Sequence, residues 1–226
     1  MDLSKIEMIF NPETIKGRIH IIGCGSVGST LAELLARYGI TKFTLWDMDL
    51  VEPKNIVNQM FFQPDVAHSK VEALANILYN VNPETKEDVV LKQEGWQGET
   101  VKGYAFLAVD NIEIRKQFLE KNKYNPELLA VFDIRTGFPD AQCWSADWTD
   151  KKQRENLAAS MDFTHEEAQS ANQISACGVV QGCAPTVRLV ACEAIANFIN
   201  FTAGKGLRKQ ILVNPFDLEN AVVSFG

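Results

Sequence analysis

A glycine-rich turn, Gly23-Cys24-Gly25-Ser26-Val27-Gly28, stands between the apolar run Ile19-His20-Ile21-Ile22 and a helical pattern of Leu31, Leu34, Leu35 and Tyr38. Strand, glycine turn and amphipathic helix in that order make a βα unit. The glycines serve either a backbone that approaches a phosphate or a helix packed tightly on its strand. The turn alone leaves both readings open. Gly39 is placed to end the helix in the left-handed conformation that glycine adopts cheaply.

The alternation then repeats. Lys42 to Trp46 reads as a second strand, and Ser69 to Tyr79 as a helix with Val71, Leu74, Ala75 and Leu78 on one face. Val89-Val90-Leu91 reads as a third strand. Tyr104 to Val109 is a fourth, apolar throughout as a strand covered on both faces should be. Ile112 to Leu119 follows as helix and Leu128 to Ile134 as a fifth strand. This predicts an α/β fold, a Rossmann-like doubly wound, mostly parallel sheet.

Thr149 to Ser175 is polar, has no obvious strand, and reads as a surface excursion or crossover. Cys177 to Ala184 is a loop of small residues and Pro185 to Ile199 a strong helix. Residues 210–214 and 221–225 form a closing hairpin, which adds C-terminal antiparallel strands. The first fifteen residues read as an amphipathic segment. Without a repeat or a flexible linker, residues 1–226 are expected to form one domain, with 149–184 as its crossover and active-site loop region.

Composition narrows the function. The net charge of −7 argues against a general nucleic-acid or anionic-membrane binder, and no apolar stretch is long enough to span a bilayer. Cys24, Cys143, Cys177, Cys183 and Cys192 form no CxxC pair, which argues against a four-cysteine zinc site, and their odd count with no export signal at the start of the sequence suggests reduced thiols in the cytoplasm. His20, inside the first strand, reads as a packed core residue.

Polar residues follow the turn in order: Asp47 and Asp49 at the end of the second strand, then Asn55, Gln59, Lys70 and the pair Asp110-Asn111. Asp47 lies 19 residues past Gly28, where a carboxylate can accept ribose hydroxyls. That placement also suits NAD, so a nicotinamide-dependent oxidoreductase is one alternative. Each residue has a structural role to weigh beside the chemical one. Gly25 and Gly28 suit tight packing, Asp47 and Asp49 a loop cap, Lys70 a solvated helix face, and Asp110-Asn111 a helix N-cap.

In this order and spacing, Gly23 to Gly28, Asp47-Met48-Asp49, Asn55-Ile56-Val57-Asn58-Gln59, Lys70 and Asp110-Asn111-Ile112-Glu113-Ile114-Arg115 resemble the ThiF/MoeB/HesA family of E1-like adenylating enzymes. The resemblance implies an E1-like adenylation domain that uses ATP and Mg2+. Its substrate would be the C-terminal glycine carboxylate of a ubiquitin-like or sulfur-carrier protein, activated as an acyl adenylate. It implies that Gly23, Gly25 and Gly28 admit the phosphates, Asp47 accepts the ribose hydroxyls, Asp49 also binds the nucleotide, and Lys70 neutralises phosphate charge. Asn55, Gln59 and Asn111 would supply amides, and Asp110 would hold magnesium. It also implies a homodimer and makes Cys177 the first candidate for a thioester thiol, with Cys183 second. Cys24 is expected for its small size and Cys192 facing a helix core. The sequence departs from the family at Asn58, where an arginine is usual. That leaves Lys16, Arg18, Arg115 or a partner's arginine to supply the charge, or a catalytically impaired scaffold subunit as the alternative.

Overall fold

Strands β1 (Arg18–Ile22), β2 (Phe43–Trp46) and β4 (Gly103–Leu107) are almost wholly buried, so each needs cover on both faces. In the computed structural model, which describes residues 1–164, 166–167 and 182–226, helices on both sides of one sheet provide it. The remaining elements are α1 (Ser26–Arg37), α2 (Lys70–Val81), β3 (Val89–Lys92), α3 (Ile112–Asn122), β5 (Leu128–Thr136), β6 (Ala141–Asp147), α4 (Lys151–Ala159), α5 (Ala184–Thr202), β7 (Gln210–Val213) and β8 (Val222–Phe225). The sheet runs β3-β2-β1-β4-β5-β6-β7-β8. Its first five strands are parallel, with Ile19 beside both Phe43 and Tyr104, and the last three pair antiparallel.

The two faces have separate cores. On one, α1, α2 and α5 bury Leu31, Leu35, Leu74, Leu78, Val190 and Phe198. Phe106 and Phe132 stack at 4.8 Å, and Phe198 meets both edge-on, at 5.7 and 5.9 Å. On the other face, α3 and α4 bury Phe118, Leu119 and Leu157 beside Trp96 and Trp148. His20 lies on that second face, 6% exposed, with Nε2 3.2 Å from the Lys102 carbonyl and its ring 6.2 Å from that of Trp46. The core reading of His20 therefore holds, and the closing hairpin forms as β7 and β8.

Three expectations need correction. The polar stretch after residue 149 is not only a surface excursion. Asp150 caps α4 by accepting the N–H groups of Lys152 and Gln153, and Leu157 and Met161 are buried. Those apolar residues are too sparse to show as periodicity. Cys192 is exposed: the buried positions of α5, such as Val190, Ala191, Ala194 and Ile195, turn it outward. In the N-terminal segment Phe10 is buried against Tyr38 and Phe198, whereas Met8 and Ile9 face solvent.

Candidate active site

The chain leaves β1 toward β2 on one side and β4 toward β5 on the other, so the connections diverge above β1 and β4. That divergence opens a crevice at the carboxyl ends of the strands. A cavity of ≈ 580 Å³ occupies it, lined by the glycine turn, Asp47, Asp49, Gln59, Lys70 and Asp110 among others.

Backbone geometry fixes the turn. Gly23 has φ +93°, and a Cβ there would lie 2.7 Å from the Val109 nitrogen. A Cβ on Gly28 would fall 1.8 Å from the Gly23 carbonyl oxygen. Both glycines are needed for close packing of the turn on β4 and on itself. Gly25 differs: a Cβ there would meet nothing within 4 Å. It leaves open room in the cavity wall at the N-terminus of α1, which has no side-chain cap. The first N–H groups of a helix have no partner within it and suit an anion.

Asp47 ties β2 to this turn. Its Oδ2 accepts the Cys24 N–H at 2.7 Å and its Oδ1 the Asp49 N–H at 2.9 Å. A carboxylate offers about four acceptor sites, so roughly two remain for ribose hydroxyls. Burial pushes the Asp47 carboxyl up from its ordinary value, against the pull of Lys70 and of its two N–H donors. Burial pushes the Cys24 thiol up as well, which suits a packing role. Lys70, the first residue of α2, is 8% exposed, and its Nζ lies 2.7 Å from Asp49 Oδ2. It does not lie on a solvated helix face. Gln59 has a buried Oε1 with no hydrogen-bond partner among the described residues.

Asp110 and Asn111 divide the two readings between them. Asn111 lines the cavity but also caps α3, its Oδ1 accepting from the N–H groups of Glu113 and Ile114 at 2.9 and 3.4 Å. Asp110 is exposed in the cavity and has no ion pair among the described residues. Asn55 stands outside the cavity lining: its Oδ1 accepts the Glu52 N–H at 2.8 Å and caps a 3₁₀ turn. The Asn58 amide lies against Gly182.

The proposed substitutes for an arginine at position 58 are otherwise engaged. Arg18 sits at the amino end of β1, opposite the cavity, and bonds the carbonyls of Phe43 and Asp88; Lys16 precedes the same end. Arg115 is 5% exposed, and all five of its N–H groups are used, on Leu107, Val109 twice, Ile134 and Asp133. Cys177 lies outside the described residues. Cys183 is buried ahead of α5.

The ThiF family profile matches residues 13–220. The chain belongs to the ThiF family. It is 43% identical over 90 residues to ubiquitin-like modifier-activating enzyme 5 of Bombyx mori, a match covering 39% of this chain and 23% of that protein. With the Drosophila willistoni enzyme of the same name the identity is 34% over 133 residues, covering 51% and 32%. The chain thus matches about a quarter to a third of the length of these curated relatives. Among solved structures, Escherichia coli MccB with ATP superposes with a TM-score of 0.70 at 18% identity, over 94% of this chain and 64% of that one. PaaA gives 0.69 at 16%, over 94% and 74%. These superpositions show the E1-like, Rossmann-type fold.

Within this ThiF-family cavity, sequence reasoning missed the end of β5. Arg135, Thr136 and Phe163 line the wall, and Asp133 sits fully buried behind them, between Arg115 and Arg135. The only signal was a charged pair, two residues apart, at the end of an otherwise apolar strand.

Proposed function

We propose that this ThiF-family protein is an ATP-dependent adenylyltransferase, which activates the C-terminal carboxylate of a ubiquitin-like protein, a sulfur carrier or a peptide. One observation carries the reading. The bared N-terminus of α1, the Asp47 carboxylate, the Lys70 ammonium and the Asp110 carboxylate converge on one cavity at the switch point of the sheet.

The residues fit a nucleotide. Gly25 leaves room where a phosphate would approach the helix N-terminus. Gln59 has an amide atom without a partner among the described residues, which a ligand would satisfy; because amide O and N are assigned from their neighbours, that atom suits either a donor or a phosphate oxygen. For magnesium, the described residues hold no group of three metal-ligating side chains and so no closed cage. Asp110 gives one hard oxygen donor, the pattern by which Mg2+ is held jointly by a carboxylate and substrate phosphates. The ion would neutralise phosphate charge.

The chain's own groups then set up an in-line displacement. An oxygen of the acceptor carboxylate attacks the α-phosphorus, and the bond from that phosphorus to the β-bridging oxygen breaks. Pyrophosphate departs with the electron pair, leaving the acyl adenylate. Asp47 orients the ribose, the turn amides and Lys70 stabilise phosphate charge, and no general base is needed because the acceptor is already ionised at neutral pH.

Calorimetric titration with ATP and magnesium, alongside NAD, tests this. ATP should bind, and Asp110→Ala should weaken it at least about tenfold, the loss of one charge-assisted contact. Lys70→Met should do the same. Binding of NAD in preference to ATP would overturn the reading in favour of a dehydrogenase. An absence of ATP binding would leave the family fold as a scaffold.

A further inference from the structure

Two guanidiniums and one carboxylate are packed at the carboxyl end of β5, and they do not balance. Buried Asp133 accepts from Arg115 through Oδ1 and from Arg135 Nε through Oδ2, the latter at 2.5 Å. The group carries a formal charge of one positive unit where the arginine side chains are only 7% and 13% exposed. Arg115 has no donor to spare. Arg135 uses three of its five: besides Nε, one N–H reaches the Ser160 carbonyl at 2.7 Å and one the Ser160 hydroxyl at 2.8 Å. Among the described residues nothing accepts the remaining pair. The rings of Trp144 and Phe163 lie 5.9 and 5.5 Å from the guanidinium carbon, within cation–π range. Carboxylate, carboxyl-end helix residue and rings thus hold the guanidinium in place at the cavity wall.

The position of this group selects its ligand. Between Asp47 and Arg135 the sheet order β2-β1-β4-β5 interposes three strand spacings, roughly 14 Å at the usual separation. A ribose at Asp47 puts its α-phosphate near the glycine turn and Asp110, above β1 and β4. Lys70 and Gln59 belong to the β2–α2 side. The end of β5 therefore lies beyond the phosphorus, on the side away from Lys70, where an incoming acceptor has room.

We propose that Arg135 receives the free carboxylate at the end of the acceptor chain and positions it for attack. The inference rests on the adenylating function above. An anion there neutralises the surplus charge and accepts from an N–H that the guanidinium has left, its direction fixed by the bonds to Asp133 and Ser160, a placement that a freely rotating ammonium does not reproduce.

The probe is a short peptide ending in Gly-Gly, prepared as the free acid and as the C-terminal amide. Each is titrated into the full chain with a non-hydrolysable ATP analogue and magnesium, and ATP is titrated separately. The acid should bind roughly tenfold or more tighter than the amide, the scale of charge-assisted hydrogen bonds. Arg135→Gln should reduce that ratio to about one while ATP affinity stays within about twofold. Arg135→Lys keeps the charge beside Asp133, so it guards against a folding defect, and it should lose most of the ratio with its melting temperature preserved. Equal binding of acid and amide to the wild type, or a ratio unchanged in Arg135→Gln, overturns the proposal. An ATP affinity that falls together with the ratio overturns it too, by placing Arg135 on the triphosphate. Failure of the wild type to bind ATP would instead refute the adenylating function.

Discussion

Replacing His20 with glutamine should remove a large share of this fold's sensitivity to acid. The ring is 6% exposed, and its Nε2 contacts the Lys102 carbonyl, which requires the tautomer with a proton there. Nδ1 is buried and has no partner among the described residues. Burial pushes the imidazole down to about 4 from its ordinary 6.5, and the Arg18 charge adds to this against the bond to Lys102. The folded value is the lower one, so the unfolded chain takes up a proton first. Stability is whole above the unfolded value of 6.5 and is lost as pH falls through 4. The gap between the two values corresponds to about 3 kcal/mol in full, with about 2 kcal/mol gone by about pH 5. Glutamine retains an amide N–H of similar reach and does not titrate. Urea unfolding of both proteins at about pH 7.5 and about pH 5 should show the wild type losing about 2 kcal/mol more than His20→Gln. A difference constant to within about 0.5 kcal/mol would refute the reasoning, because the imidazole would then titrate alike in both states.

The last two glycines of the motif should separate packing from binding. Gly28→Ala sets a Cβ against the Gly23 carbonyl and should cost about 3 kcal/mol or more in chemical unfolding, the scale of severe overpacking. Gly25→Ala meets only open space, so its unfolding free energy should stay within about 1 kcal/mol of wild type while ATP affinity drops. Loss of stability in Gly25→Ala would contradict the assignment of that space to a ligand. Arg115→Lys cannot replace five N–H donors and leaves buried acceptors and Asp133 short of partners. It should destabilise by about 3 to 5 kcal/mol, read by urea unfolding, whether or not nucleotide is present. A stable Arg115→Lys variant that had lost ATP binding would make Arg115 a phosphate ligand after all.

The strands and helices of the first half were legible because their signal is local. An apolar run such as Tyr104 to Leu107, covered on both faces, and the heptad-like spacing of α1 state their environment residue by residue. Helix α4 was not legible, since a helix that buries little beyond Leu157 shows almost no amphipathic stripe. Asp110 and Asn111 show the limit of reading motifs by type: both the capping and the cavity reading were sound, and only the fold shows that Asn111 serves both while Asp110 lines the cavity alone.

By itself the sequence determined a βα-alternating domain with a glycine turn that must make close backbone contact, together with the carboxylates and lysine proposed here for a nucleotide site. Sequence order and spacing suffice for these, because each belongs to one turn, one strand end or one helix start. The tertiary structure decided which charges remain available. Arg115 and Arg135 both border the cavity, yet Arg115 is saturated by carbonyls of β4, β5 and the loop between β4 and α3, whereas among the described residues Arg135 keeps two donors. Hydrogen-bond saturation depends on partners that the sheet order brings together from distant parts of the chain, and no local pattern of residues records it.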